Sequence, residues 1–247
     1  MASIESQANA AVTGLWADAS YGKTDFDAYR TDRSGLLFGV QGSTETLTLG
    51  AVLSAGTGNV KSDSLVSQDW NDVGGPVYGA YRFGPAALTA SALYERHEGK
   101  AQGQGQKRHA DVLGASLKVP ADAALGGMTV TPYAGWRVID VDHADAEDRV
   151  VVHEFPVGFR AKGSFDAGAW KLSPVVDAAF VPQAGDTKVR LAGTNTQSVI
   201  SGDYAVTYRA GLTTEKGGLA FGFNYSGATG DSGLRSHSVQ ATVRLAF

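Results

Sequence analysis

From His237 to Phe247 the sequence alternates without a break. Val239, Ala241, Val243, Leu245 and Phe247 fall on one face of a strand, and Ser238, Gln240, Thr242, Arg244 and Ala246 fall on the other. Successive side chains of a β-strand point to opposite faces, so this is one apolar edge and one polar edge. A terminal strand of that kind, ending in an aromatic, suits the closing seam of a transmembrane β-barrel. There lipid touches the outer face and a wet lumen the inner one.

Composition narrows the field. No run of about 18 apolar residues exists, which excludes a helical membrane span. Charged residues make up 19 % of the chain, below the usual quarter for soluble domains. Cysteine is absent, which removes disulfide scaffolds and thiolate metal sites. The formal net charge of −4 gives nucleic-acid binding no support. The start, Met1-Ala2-Ser3-Ile4-Glu5-Ser6, shows neither the basic region nor the apolar core of a signal peptide. Because the rest looks exported, the expectation is a fragment lacking its natural N-terminus.

Ser3 to Ala11 reads as a short polar helix with Ser3 as a possible N-cap. Such a helix is marginal alone and needs a polar enclosure. The chain therefore divides into a linker helix at 1–11 and a barrel at 12–247. From Val12 onward the alternation predicts twelve antiparallel strands, an even number as bacterial single-chain barrels require. The outward sets begin with Leu15, Ala17, Ala19 and Tyr21, then Leu36, Phe38 and Val40, then Leu47, Leu49, Ala51 and Leu53. They continue through segments around Val77–Phe83, Leu88–Tyr94, Leu113–Val119, Val130–Val138, Phe155–Ala161, Trp170–Phe180, Val206–Leu212 and Leu219–Tyr225 to the closing strand. Short connections near Thr44, Gly84, Ala121–Gly127, Ser164–Ala167 and Glu215–Gly217 alternate with long ones at Lys23–Arg33, Thr57–Asn71, His97–Gln106, Asp140–Arg149, Pro182–Gly202 and Gly227–Gly233. Short periplasmic turns and longer outer loops are the rule for such barrels. Aromatics near strand ends, among them Tyr21, Phe83, Tyr94 and Trp170, fit interfacial girdles. A soluble β-sandwich also alternates, but would bury the apolar face in a core.

Several segments resemble one family. Val130 to Asp142 (VTPYAGWRVIDVD), Tyr208 to Leu212 (YRAGL) and Ser236 to Val239 before a terminal aromatic resemble the β-domain of autotransporters. Gly14 to Gly22 (GLWADASYG) and Gly35 to Ser43 (GLLFGVQGS) resemble that family's opening strand pair. The resemblance implies a translocator of type V secretion: a twelve-stranded outer-membrane barrel with a helix in its lumen, anchoring and exporting an N-terminal passenger that is absent here. It implies a bacterial outer-membrane location among lipid and lipopolysaccharide, a monomer, and assembly by periplasmic chaperones and the barrel-assembly machinery. That machinery would read the alternation of Val239, Val243, Leu245 and Phe247.

The inward-facing set carries the candidate contacts to the helix: Asp18, Arg82, Glu95, Arg137, Glu154, Arg160, Asp177, Arg209 and Arg244, with Lys118, Lys162 and Lys171 adding to a positive bias. Glu5 is the helix acid they would hold by charge-assisted hydrogen bonds. Ordinary cross-strand ion pairs explain any single residue equally well. Asn9, before Ala10, is the only candidate for the self-cleavage some family members perform, and the paired asparagines and acidic partner of those members are not seen. The acidic loop Asp140–Asp148 lacks the spacing of a calcium loop, and no catalytic serine motif or metal-ligand spacing occurs. No cofactor and no enzymatic activity are expected. Two rivals stay open: a small-solute outer-membrane channel, and a lipase-type enzyme using a rim serine with His237 as base.

Overall fold

The computed structural model describes residues 13–26, 29–62, 68–101, 107–143, 149–186, 188–190, 197–199 and 201–247. Twelve long antiparallel strands close on themselves. They are β1 (Gly14–Phe26), β2 (Tyr29–Ser43), β3 (Leu47–Ser62), β4 (Gln68–Phe83), β5 (Ala86–Ala101) and β6 (Lys107–Pro120). Then follow β7 (Met128–His143), β8 (Val150–Glu154 with Val157–Lys162), β9 (Trp170–Gly185), β10 (Tyr204–Lys216), β11 (Leu219–Gly230) and β12 (Arg235–Ala246). Each pairs with its sequence neighbours, and β12 pairs with β1 from Gly14↔Ala246 to Asp25↔Arg235. A membrane-spanning sheet has to close in this way, because no water is present to satisfy an open edge.

β8 is interrupted at Phe155-Pro156, yet its register runs on. Arg137 opposite Glu154 and Ala134 opposite Val157 belong to one continuous ladder. Proline has no N–H to donate, so the break is a missing bond and not a shift. Pro156 still accepts from the Gly135 N–H at 2.9 Å. At one end of the barrel the connections are tight. Gly126-Gly127 and Gly217-Gly218 both have positive φ, at 55° and 82° and at 57° and 82°. Two consecutive positive φ values make the type I′ turn whose twist matches the flanking strands.

The two faces are inverted relative to a soluble protein. Leu53 is 74 % exposed, Phe38 59 % and Phe223 57 %, whereas Asp18 and Asp72 are 3 % and 4 % exposed. Leucine, phenylalanine and valine therefore form the outer surface, as hydrocarbon as the solvent demands. The inner wall is mostly polar, with two apolar clusters among the described residues, one of Tyr133, Ala179, Val181 and Ala205 and one of Trp16, Val52, Tyr78 and Ala80. Glycine makes room for its aromatics. Trp16 lies over its cross-strand partner Gly39, and Tyr78 over Gly50. Trp16 Nε1 donates to the Tyr78 hydroxyl at 3.4 Å, and that hydroxyl donates to Gln41 Oε1 at 2.8 Å.

The long connections differ from the sequence reading. β1 and β2 stay paired out to Phe26↔Tyr29, β3 and β4 to Val60↔Gln68, and β5 and β6 to Lys100↔Lys107. Segments expected as loops are ladder. A strand needs about 9–11 residues to cross a bilayer, and β3 to β5 have 16 each. The excess stands beyond the membrane at the end opposite the tight turns, where water meets both faces and no apolar alternation is needed. The predicted helix at 1–11 lies outside the described residues.

Gly39→Leu should lower barrel stability by about 2 kcal/mol, because its side chain would need the space the Trp16 ring occupies. Gly42→Leu should not, since nothing lies within 4 Å of a Cβ there. The temperature at which the compact form is lost on unheated-versus-heated gels separates the two.

Candidate functional site

The site is the inner wall, and its charged residues arrive there because alternation places them on one face. They gather into five groups. At the seam, Asp18 on β1 accepts from Gln240 at 2.6 Å and from Thr242 at 2.8 Å, both on β12. These bonds tie the last strand to the first. On the β8–β10 wall, Asp177 takes a hydrogen bond from Arg160 Nε at 2.9 Å, another from the Tyr133 hydroxyl at 2.7 Å, and lies 3.7 Å from Arg209. The Lys118 ammonium sits 3.5 Å from the centre of the Tyr133 ring, a cation–π contact.

Further out, Arg137 pairs with Glu154. Gln183 donates to Glu154 at 2.9 Å, and Ser201 donates to Gln183 at 3.0 Å. The fourth group lies on β2–β5. Arg33 makes a two-pronged contact with Asp72, at 2.8 and 3.3 Å, and reaches Glu95 at 3.5 Å. Ser54 donates to Glu95 at 3.1 Å. Nearest the tight turns, Arg244 approaches Glu215 at 3.4 Å.

Two cavities open between these groups. One of about 260 Å³ is bounded by Lys118, Tyr133, Arg160, Asp177 and Arg209. The other, about 360 Å³, lies toward the tight turns and is bounded by Arg82, Arg160, Lys162, Arg209, Glu215 and Arg244. Five cations against Glu215 and Asp122 make that end of the lumen electropositive. Among the described residues, no cluster of three or more His, Asp or Glu is arranged to hold a metal ion.

Asp18, Arg82, Glu95, Arg137, Glu154, Arg160, Asp177, Arg209 and Arg244 lie on the strand face opposite the exposed Leu, Val, Phe and Tyr side chains. Glu5 and Asn9 lie outside the described residues. Val239, Val243, Leu245 and Phe247 all face outward, and Phe247 is 77 % exposed. The Phe247 N–H donates to the Thr13 carbonyl at 3.2 Å, so the two ends of the barrel meet at the tight-turn rim. Sequence reading missed Arg33 and Glu215 because it placed them in connections, and Asp72 because it fell between the Thr57–Asn71 connection and the strand read from Val77. The period-two pattern of Trp70-Asn71-Asp72-Val73 was the available signal. His237, the candidate base, projects outward and shares a 2.7 Å hydrogen bond between Nδ1 and the Tyr225 hydroxyl.

A closed barrel of twelve strands, with a charged lumen and both ends at one rim, is the form of a known group of exporters. The family model described as "Autotransporter beta-domain" matches residues 10–226. The chain belongs to the autotransporter β-domain family. It is an outer-membrane translocator domain. Its fold is similar to the β domain of the Bordetella autotransporter BrkA, at TM-score 0.75 and 17 % identity over 96 % of this chain and all of that one. The transport unit of AIDA-I from Escherichia coli matches at TM-score 0.74 and 13 % identity, over 97 % and 92 % of the two chains. The translocator domain of NalP from Neisseria meningitidis matches at TM-score 0.71 and 12 % identity, over 100 % and 92 %. No curated protein sequence matches the chain.

In this translocator the wall charges are held chiefly by one another. Asp177→Ala should cost about 2 kcal/mol, because Arg160 and Arg209 lose their shared carboxylate. The double change Asp177→Ala with Arg160→Ala should recover part of that loss. Urea titration followed by tryptophan fluorescence measures both.

Proposed function

We propose that residues 1–11 form the junction to an N-terminal passenger, and that this junction occupies the lumen as a short helix. The observation that carries the reading is the position of Thr13, beside Phe247 at the tight-turn rim. Short turns lie on the periplasmic side of such barrels. A passenger displayed at the cell surface must then be joined to β1 through the barrel interior. Glu5 is the only ionisable side chain in residues 1–11, and the nearby lumen end is electropositive. Glu5 meeting the Arg82, Lys162 and Arg244 sector matches charge to charge, and Asn9 faces lumen water. The role is transport and anchoring without catalysis.

Removal of residues 1–11 should convert a mostly closed barrel into one of steady conductance in planar bilayers. Equal conductance with and without the segment would favour a permanent solute channel instead. Loss of a lipid-hydrolysing activity on a single rim Ser→Ala change would favour the lipase-type enzyme.

For assembly, the outward residues Val239, Val243, Leu245 and Phe247 form the recognition face for the barrel-assembly machinery and its chaperones. The barrel inserts as a monomer among outer-membrane lipid and lipopolysaccharide. Phe247→Ser should impair insertion far more than Phe83→Ser, although both side chains face outward. Equal insertion of the two in a membrane-assembly assay would defeat the recognition role while leaving the barrel intact.

A further inference from the structure

At the end of the barrel away from the tight turns, the outer face of β12, β1 and β2 carries a cationic corner above an aromatic step. Lys23 on β1 stands opposite His237 on β12 and Asp32 on β2, and one outward position further along Asp25 stands opposite Arg235 and Arg30. Asp25 is engaged by Arg30, and Asp32 by Lys23 at 3.7 Å. Arg235 has no ion pair among the described residues. Three cations therefore face two carboxylates. One outward position nearer the membrane centre, Tyr21, Val239 and Tyr225 form a row. The His237 ring stacks on Tyr225 with centroids 6.0 Å apart, and Tyr208 lies 6.3 Å from Tyr225 on the other side.

The rest of the outer rim is different. On β4–β7 the outward positions hold Asp69, Glu98, Asp111, Asp140 and Asp142 against Arg96, Lys100 and, opposite Lys100 in the register, Lys107, and Arg149 pairs with Asp140 and Asp142. A surplus of cations above tyrosines thus stands on the β12–β2 side, and the β4–β7 side has no such surplus. Tyrosine at a membrane interface marks where acyl chain gives way to headgroup. The cations just beyond it sit at headgroup depth.

We propose that this corner binds a phosphate of the glycolipid of the outer leaflet, lipid A. Lys23 and Arg235 supply the charge, each by charge-assisted hydrogen bonds to phosphate oxygens. His237 adds a donor at Nε2 when the Tyr225 phenol donates to Nδ1. The faces of Tyr21, Tyr225 and Tyr208 lie against the upper acyl chains. The proposal rests on the outer-membrane location of the barrel and gives one lipid contact a definite place on it. It also places that lipid on the closing seam, since the two cations come from β1 and β12.

The folded full chain in detergent micelles, titrated with bisphosphorylated lipid A or with phosphatidylglycerol, tests it, with bound lipid counted by native mass spectrometry. Lipid A should be retained about tenfold better than phosphatidylglycerol. Lys23→Gln with Arg235→Gln should lower that retention about tenfold, the loss of two charge-assisted contacts. Lys23→Arg with Arg235→Lys should keep it, and Arg96→Gln on the β4–β7 side should leave it unchanged. Equal retention of the two lipids, unchanged retention in the neutralised variant, or an equal loss with Arg96→Gln would overturn the assignment. Heat-modifiable gel migration of every variant reports the folded barrel separately, so a lost lipid is distinguished from a lost fold.

Discussion

Hydrocarbon accepts no hydrogen bond, and that single property of the solvent organises the molecule. Each backbone N–H and C=O at membrane depth must find its partner within the protein. A sheet meets this demand only if its first and last strands pair, and β1 and β12 do so over their length. The same solvent turns the apolar residues outward, which leaves the polar ones to share a small interior. Closure, surface and lumen chemistry are thus three results of one constraint. The side-chain bonds of Asp18 to Gln240 and Thr242 reinforce the backbone ladder where it joins the two ends of the sequence.

The interior solves a second problem. Charges placed inside a narrow ring of strands cannot all reach bulk water, and an unpaired one is costly. The wall answers with shared acceptors. Asp177 serves Arg160, Arg209 and Tyr133, while Glu95 serves Arg33, Ser54 and His97. Such sharing lets a wall with more cations than anions stay ordered. The surplus lies toward the periplasmic rim, around Arg82, Lys162 and Arg244.

Much of this was legible in the sequence, because a β-strand between lipid and a lumen writes its two environments into alternate residues. Ser238-Val239-Gln240-Ala241-Thr242-Val243 shows both sides, and the inward placement of Arg137, Arg160 and Arg209 followed from parity alone. What was not legible lies where the two environments become the same. Beyond the membrane both faces of the ladder are wet, so Lys23-Thr24-Asp25 and Gly58-Asn59-Val60 carry no apolar alternation and read as loop. Arg33 and Asp72 were hidden for that reason, although together they form a two-pronged ion pair on the inner wall. Glu215 was hidden by its nearness to the Gly217-Gly218 turn. The pairing of Trp16 with Gly39 depends on register, which a single strand does not reveal.

The shared ion pairs of the inner wall bear on how another polypeptide would travel along it. Charges already satisfied by their neighbours offer a moving chain little to grip. Along the shared pairs around Asp177 and Glu95 its polar groups would pass over a shallow, repeated landscape, with the cationic sector at the periplasmic rim as the one deeper well. A conduit built that way would discriminate by charge at one rim and little elsewhere.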